Sequence, residues 1–284
     1  MTSYGVVAAV KRLSRERRVG HAGTLDPAAT GVLPVCLGQA TRVVEFLALA
    51  SKTYRADIEL GVSTDTYDAS GRVTFRGDPS SIDLAKLRSA LAQFRGSIHQ
   101  TPPMFSALKH RGRPLYELAR AGVTVERRSR AVTVYRLDLV SWRPPVAVLE
   151  VECSKGTYIR SLAHDLGQAL GCGAHLKSLV RTRCGIFDIN DAVPLLKLEE
   201  AFRLGGWESF LYPVDSVLQD FPALVVADAV ITDLKNGKMI SIAGSEHLSG
   251  TPKYARAYSP DGRFLGILSY IPDWGLWHPE KVFF

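Results

Sequence analysis

Alternating apolar and polar residues predict β-strands in both halves of the chain. In "YRADIELG" (Tyr54 to Gly61) every second side chain is apolar or aromatic, which is the two-residue period of a half-buried strand. "VAVLEVEC" (Val146 to Cys153) predicts a second strand. Near the C-terminus, "ARAYSPDGRFLGIL" (Ala255 to Leu268) predicts a hairpin that closes through a Ser-Pro-Asp-Gly turn.

Three other stretches have the spacing of amphipathic helices. The first begins at Ser3, which we expect to cap it, and the second runs from Asp83 to Arg95 and ends at Gly96. The third follows the strand that ends at Cys153, with Thr157 as the expected cap and Gly171 as the stop. Their apolar positions are Val6, Val7, Val10 and Leu13, then Leu84, Leu87, Leu91 and Phe94, then Ile159, Leu162, Ala163, Leu166, Ala169 and Leu170. The third spacing places Tyr158 and Arg160 in a first helical turn just beyond a strand, where open α/β arrangements often bind ligands.

The composition is that of a globular protein of one large domain or two. The chain has 284 residues, 46% of them hydrophobic, and a formal net charge of +7, which favours an acidic partner such as nucleic acid. The four cysteines form neither a metal-ligand pattern nor a disulfide framework, so we expect buried free thiols in a reducing compartment. The chain has no apolar run of membrane-spanning length and no secretory signal pattern, and we expect a cytoplasmic protein.

Two basic stretches are candidate phosphate contacts. "KRLSRERR" (Lys11 to Arg18) has five basic residues in eight, and it fits either a solvated surface or a phosphate contact. The segment from Gln100 to Arg130 contains many Lys and Arg residues, including Lys109, with Phe105 and Tyr116 between them. It predicts an irregular, exposed excursion that grips a nucleic-acid backbone, and the alternative is a mobile surface insertion.

A glycine-rich loop between these stretches contains one acidic residue. "GHAGTLDPAATG" (Gly20 to Gly31) has neither the P-loop nor the dinucleotide-binding pattern, and a lone Asp26-Pro27 is by default a turn. The sequence has no nearby Ser-His-Asp set or paired carboxylates, and its Asp65 and Asp68 miss the calcium-loop spacing. If the chain is an enzyme, Asp26 acts alone and an arginine would hold it ionised by bidentate pairing. Arg160 and Arg42 are both candidates for that arginine.

The glycine loop and three further segments resemble the TruB family, the tRNA pseudouridine-55 synthases. The four segments occur in family order and cover most of the chain from Val19 to Thr182. They are "GHAGTLDPAATGVLPVCLGQATR", "KTYRADIELGVSTDTYDASG", "QTPPMFSALKHRGRPLYELARAG" and "CSKGTYIRSLAHDLGQALGCGAHLKSLVRT". The resemblance implies a stand-alone enzyme that isomerises uridine 55 in the tRNA T-loop without metal or organic cofactor, acting on the T-arm as a monomer.

The resemblance also implies roles for individual residues. Asp26 matches the single essential aspartate, which either attacks C1′ or removes the 2′ proton, and Arg160 matches its arginine partner. Tyr54 matches the tyrosine that stacks on the target base and assists proton removal from C5. His21 matches the histidine that enters the RNA loop and helps to hold bases flipped out. The other implied substrate contacts are Tyr158 and Leu179 in the base pocket, and Lys109 and Arg42.

The resemblance implies an α+β fold with a mixed, largely antiparallel sheet, followed by a small β-barrel of the PUA type. We expect a catalytic domain over residues 1–215, with the RNA-gripping insertion at about 100–130, and an RNA-binding domain over residues 216–284. The alternatives are a guide-RNA-dependent synthase that acts on ribosomal RNA, and a tRNA-binding folding factor with weak activity.

The first residues of the chain and Phe105 depart from the family pattern. The chain begins where the family usually continues a "Lys-Pro-x-Gly-x-Thr-Ser" segment after a strand, so we expect an upstream extension to increase stability and activity. Phe105 stands where a tyrosine is common, which removes a hydroxyl from an RNA-facing position.

Overall fold

The computed structural model describes residues 1–242 and 253–284. They form two compact units. The first unit comprises Met1–Val6, Gly23–Pro34 and Ala48–Ala192. The second unit comprises Val7–Ala22, Val35–Leu47 and the described residues of Val193–Phe284. The predicted domain boundary at residue 215 stays a prediction.

The elements of the described residues follow one another in this order along the chain. The α-helices are α1 (Ser3–Ser14), α2 (Val44–Leu49), α3 (Leu84–Ala92), α4 (Leu115–Arg120), α5 (Ile159–Ala169), α6 (Leu195–Leu204) and α7 (Asp228–Lys235). Short 3-10 helices cover Gly38–Val43, Ile189–Asp191, Trp207–Phe210 and Val214–Leu218. The strands are β1 (Val19–His21), β2 (Thr30–Gly31), β3 (Val35–Leu37), β4 (Lys52–Leu60), β5 (Val62–Thr64), β6 (Val73–Arg76), β7 (Gly96–Gln100), β8 (Lys109–His110), β9 (Arg113–Pro114), β10 (Arg130–Arg143), β11 (Val146–Cys153), β12 (Ala174–Cys184), β13 (Phe187–Asp188), β14 (Ala223–Val225), β15 (Tyr254–Tyr258), β16 (Phe264–Ile271) and β17 (Leu276–Val282).

A seven-stranded sheet forms the centre of the first unit. Its order is β13-β12-β4-β11-β10-β7, in which neighbours are antiparallel, and β2 adds to β12 in parallel. Apolar residues of α3 and α5 pack with those of the central strands in one core, which includes Leu87, Leu91, Leu162, Leu166, Ala56, Ile58, Leu149 and Val151. The predicted α+β class with a mixed, largely antiparallel sheet is confirmed.

The predicted helices form, but two of their predicted caps are wrong. Asp83 caps α3 as a side-chain acceptor from the Lys86 N–H at 2.8 Å. At α1 the cap is Thr2, whose hydroxyl accepts from the Gly5 N–H at 3.0 Å, because Ser3 uses its hydroxyl elsewhere. At α5 the hydroxyl of Thr157 donates to the Ser154 carbonyl, and the helix begins without a side-chain cap.

The basic excursion from Gln100 to Arg130 is more ordered than the sequence predicts. It contains the β8–β9 hairpin and α4. Met104, Leu115 and Leu118 are buried in a small core of their own, packed by partly buried neighbours that include Phe105. Apolar residues spaced among the basic ones therefore build a local fold, which the high density of charge in the sequence conceals.

The second unit contains a four-stranded sheet in the order β14-β15-β16-β17. The β15–β16 hairpin confirms the predicted turn, in which the Gly262 N–H donates to the Ser259 carbonyl at 2.9 Å. Ile240 pairs with the fully buried Trp277 of β17. This sheet, antiparallel except for the β14–β15 pair, is consistent with the predicted PUA-like domain.

The cysteines and the helices each bear on a sequence-based expectation. All four cysteines are free and buried, as predicted. In residues 1–242 and 253–284, no helix has the length and apolar character that crossing a membrane requires.

Candidate active site

Asp26 lies in a short turn whose backbone is held from two sides. Its carbonyl accepts from the Ala29 N–H at 2.9 Å, which closes the turn. The hydroxyl of Ser3 accepts from the Leu25 N–H at 2.9 Å and donates to the Leu25 carbonyl at 3.3 Å. The start of α1 therefore fixes the residue immediately before Asp26.

Arg160 holds the Asp26 carboxylate in a bidentate pair. Its Nε donates to Oδ2 and its Nη2 donates to Oδ1, both at 2.8 Å. The side chain of Arg160 is 6% exposed, whereas that of Asp26 is 35% exposed. The arginine is thus enclosed while the carboxylate is partly exposed, and two parallel charge-assisted bonds fix the rotamer of Asp26. The expected Asp26–Arg160 contact is confirmed.

A second carboxylate stands on the other side of Arg160. Oδ2 of Asp68 lies 3.7 Å from Arg160 Nη1, which also donates to the Thr66 carbonyl at 3.3 Å. Asp68 is itself held through Oδ1, which accepts from the Thr66 hydroxyl at 2.7 Å and from the Ser70 N–H at 3.0 Å. Arg160 therefore bridges two acidic groups, so that its buried charge is compensated and its orientation is fixed.

Arg181 of β12 braces the loop that contains Asp26 at both ends. Its Nε donates to the Val32 carbonyl at 2.7 Å and its Nη2 donates to the Gly23 carbonyl at 3.1 Å. Its backbone pairs with Gly31 of β2, and its carbonyl accepts from the Val32 N–H at 2.9 Å. Gly23 and Gly31 have φ values of +90° and +106°, the left-handed region that favours glycine.

Tyr54 lies on β4 directly opposite Arg181 of β12. Burial raises the pKa of Tyr54 to about 12, and the charge of Arg181 and its hydrogen bond to the Tyr54 side chain act in the opposite direction. Tyr54 is therefore a neutral phenol at neutral pH. As a neutral ring at the centre of the sheet, it presents an aromatic surface suited to stacking.

The two residues expected in the base pocket also lie in the first unit. Tyr158 immediately precedes α5, with its N–H donating to Gln100 Oε1 at 3.0 Å and its carbonyl accepting from Gln100 Nε2 at 3.2 Å. The guanidinium of Arg130 lies 5.2 Å from the centre of the Tyr158 ring. Leu179 of β12 is buried opposite Ala56 of β4.

The remaining predicted contacts are Lys109, His21 and Arg42. Lys109 is exposed on the β8–β9 hairpin of the first unit. His21 and Arg42 belong to the second unit. His21 lies on β1 opposite Val35, and Arg42 donates to the Val282 carbonyl and lies 5.3 Å from the centre of the Phe283 ring. Arg42 is thus engaged with the C-terminal strand and the residue that follows it.

Asp68, Arg181 and Ser3 also shape this site, although the sequence patterns do not predict that role for them. The spacing of Asp68 excludes a calcium loop and predicts no other role, and the signal that could have marked it is its position in a segment that resembles the family. Arg181 lies in another of those segments, but no local pattern distinguishes it from its neighbour Arg183. Ser3 has the sequence signal of a helix cap, but its hydroxyl bonds the Leu25 backbone. Across residues 1–242 and 253–284, no group of three or more His, Cys, Asp or Glu side chains could hold a metal ion.

Solved structures share this fold. A structure of a Cbf5–Nop10–Gar1 complex matches 100% of this chain and 82% of its own with a TM-score of 0.76 at 27% identity. A Nop10–Cbf5 complex of an archaeal box H/ACA sRNP matches 100% of this chain and 83% of its own with a TM-score of 0.69 at 25% identity.

Sequence relatives are closer and cover nearly the whole chain. The proteins named tRNA pseudouridine synthase B from Dehalococcoides mccartyi and Chromohalobacter salexigens are 44% and 46% identical, over 100% and 99% of this chain and 93% and 90% of their own. That of Haemophilus influenzae is 42% identical over 95% of this chain and 86% of its own.

Two family models match consecutive parts of the chain. Residues 11–159 match the N-terminal domain of the TruB family pseudouridylate synthases, and residues 160–219 match the tRNA pseudouridylate synthase B C-terminal domain. The fold and these matches define a pseudouridine synthase. The chain belongs to the TruB family.

Proposed function

We propose that this protein isomerises uridine to pseudouridine at position 55 in the T-loop of tRNA, with Asp26 as its catalytic residue. The bidentate pair between Asp26 and the buried Arg160 is the observation that carries the proposal. The pair holds a partly exposed carboxylate in one orientation. The relatives named tRNA pseudouridine synthase B, which match nearly the full length of this chain, also support the proposal.

The reaction conserves every atom of the substrate. The bond from N1 of uracil to C1′ of the ribose breaks, the base turns, and a bond from C5 to C1′ forms. C5 then loses a proton and N1 gains one. A single carboxylate suffices for this isomerisation, either by attacking C1′ or by taking the proton from C2′, and both routes require an ionised, fixed Asp26. Arg160 supports both, because its two parallel hydrogen bonds hold the carboxylate in one orientation.

Aromatic and apolar side chains would receive the base once it leaves the T-loop stack. In the proposed complex Tyr54 stacks on the uracil and assists loss of the C5 proton, and Tyr158 and Leu179 line the pocket. Because burial raises its pKa, Tyr54 is a neutral aromatic ring at neutral pH, which suits stacking on the uracil. His21 enters the RNA loop to hold the extruded bases, whose removal from the stack exposes the reacting bond.

The two basic stretches would bind the tRNA backbone. Lys11 to Arg18 and the insertion at 100–130, with Lys109 on its hairpin, supply the phosphate contacts. In the same proposal residues 216–284 form a PUA-like RNA-binding domain, and Arg42 contributes to substrate binding. The protein acts on the tRNA T-arm as a cytoplasmic monomer and uses no cofactor.

The second candidate is a synthase that acts on ribosomal RNA within a guide-RNA particle. The Cbf5-containing complexes that share the fold favour it, but their identity of 25–27% is well below the 42–46% of the relatives named for tRNA. The third candidate is a tRNA-binding folding factor with weak activity.

An assay of the purified protein on unmodified tRNA transcript separates the three. We expect rapid conversion at one uridine, located by chemical labelling of pseudouridine and reverse transcription. A matched transcript with cytidine at position 55 is the control and should give no product. Binding of tRNA without turnover would favour the folding factor, and activity that appears only with guide RNA and partner proteins would favour the ribosomal candidate.

A further inference from the structure

Two aromatic rings stack beside the Arg160 site. The ring centres of Tyr67 and His164 are 3.9 Å apart and their planes differ by 11°. His164 lies on α5, four residues after Arg160, so that both project from one side of the helix. Tyr67 belongs to the turn that follows β5. The stack therefore joins this turn to the helix that bears Arg160.

Tyr67 lies between the two residues of the turn that contact Arg160. The Thr66 carbonyl accepts from Arg160 Nη1, and the Asp68 carboxylate lies 3.7 Å from the same atom. Tyr67 has a φ of +64°, which is unfavourable for a residue with a large side chain, so its surroundings must hold the turn in place.

Backbone hydrogen bonds and the ring stack hold this turn on different sides. The Leu176 N–H donates to the Tyr67 carbonyl at 2.9 Å, and the Ala69 N–H donates to the Leu176 carbonyl at 3.0 Å. These two bonds tie the backbone of the turn to β12. The Tyr67 side chain is the part of the turn that packs on His164 of α5.

His164 takes part through the face of its ring. Within the described part of the chain its buried Nδ1 has no hydrogen-bond partner. Burial lowers the pKa of His164, and the charge of Arg127 lowers it further, so the imidazole is neutral at neutral pH. A ring that contributes stacking and shape should be replaceable by another flat ring.

We propose that Tyr67 and His164 are positioning residues, whose stack holds the Thr66 carbonyl and the Asp68 carboxylate against Arg160 and so fixes the orientation of Asp26. The inference rests on the proposed function and adds two residues to it. Loss of the stack would let the turn withdraw from Arg160. The rate of the chemical step would then fall while tRNA binding, which depends on phosphate contacts, stays unchanged.

The test compares substitutions of similar volume at His164. His164→Leu fills the space without a flat ring, and His164→Phe restores the stack without ring nitrogens. We expect Leu to lower the single-turnover rate about tenfold or more, with the Kd for tRNA within about twofold, because small misplacements of catalytic groups cost large factors in rate. Phe should recover the rate to within about threefold of wild type. Tyr67→Leu should behave like His164→Leu, and the exposed Tyr135→Leu should match wild type.

The double variant tests whether Tyr67 and His164 contribute to the rate through the same stacking contact. Tyr67→Leu with His164→Leu should be no slower than the slower single variant, because a stack is lost only once. Wild-type rates in both single variants, an effect on Kd alone, or a folded His164→Phe as slow as His164→Leu would overturn the inference. An inactive wild-type protein would instead overturn the proposed function, and this inference with it. Melting temperatures identify any variant that fails to fold. If a His164 variant fails, the single-turnover rates of Tyr67→Phe and Tyr67→Leu are compared instead, and Tyr67→Phe should be the faster.

Discussion

Gly31 and Arg181 lie so close that no side chain fits between their backbones. A Cβ on Gly31 would come within 2.2 Å of the Arg181 carbonyl oxygen, and the φ of Gly31 is +106°. The glycine allows the end of the loop to lie flat on β12, where Arg181 also binds the carbonyls of Gly23 and Val32. The glycine-rich segment thus serves close backbone packing that places Asp26 in front of Arg160.

We expect Gly31→Ala to displace this loop and to abolish most activity. Relieving the clash and the left-handed backbone should cost at least about 2 kcal/mol of unfolding free energy, or roughly 4 °C or more in Tm. Gly20→Ala is the matched control, because its added Cβ would meet only side-chain methyl groups at 3.9 Å and its φ is not in the left-handed region. Equal Tm and turnover in the two variants would contradict this account of the loop.

Asp26→Asn should lower the single-turnover rate by at least about 10²-fold, the scale expected for loss of a catalytic carboxylate. Affinity for tRNA should change little, because phosphate contacts dominate binding. Rate and Kd are measured on the same transcript. Asp138→Asn, at a surface carboxylate, is the control and should match wild type. Turnover near the wild-type rate in Asp26→Asn would remove Asp26 from its proposed role.

Arg160→Lys should slow the reaction about tenfold or more although it keeps the positive charge. A lysine ammonium lacks the flat fork that donates to both oxygens of Asp26 and to the Thr66 carbonyl. Arg183→Lys on the exposed end of β12 should have no effect. If Arg160→Lys turns over at the wild-type rate, charge alone is sufficient and the geometry of the pair is irrelevant.

The insertion should contribute to the salt dependence of tRNA binding. Arg111 and Arg113 are exposed at its β8–β9 hairpin. Replacing both by Gln should reduce the slope of log K against log salt by about 1.4 to 1.8 if each contacts one phosphate. Lys86→Gln with Arg88→Gln on the exposed side of α3 removes the same charge and should leave the slope unchanged. Equal slopes in both variants would exclude the hairpin from the RNA interface.

Asp165 should make the fold less stable as pH rises. Burial raises the pKa of Asp165 from 3.8 to about 6, so the folded state favours the protonated carboxyl. The protonated Asp165 carboxyl therefore contributes fully to the free energy of unfolding below about pH 4, and this contribution is lost as pH rises through 6. Asp165→Asn should therefore have a higher Tm than wild type at pH 8, with the difference disappearing near pH 4. A difference that is constant across this range would contradict the shifted pKa.

The sequence by itself determined the elements whose signal is local. Periodicity alone identified the strand Val146–Cys153 and located α5, because alternation and helical spacing report which face of an element is buried. The resemblance in four ordered segments marked Asp26 and its arginine. Capping propensity favours Ser3 over its neighbour Thr2 at the start of α1, whereas the structure uses Thr2 because the Ser3 hydroxyl bonds the Leu25 backbone.

Only the tertiary structure decided which distant groups meet. Asp26 and Arg160 are 134 positions apart, and the residue patterns alone favour Arg42 equally as the partner of Asp26. The structure engages Arg42 with the Val282 carbonyl and places Asp68 on the other side of Arg160. Such contacts depend on sheet order and strand register, which bring β12, β4 and the start of α5 together. No local pattern encodes that arrangement, because each residue's immediate neighbours are compatible with many partners.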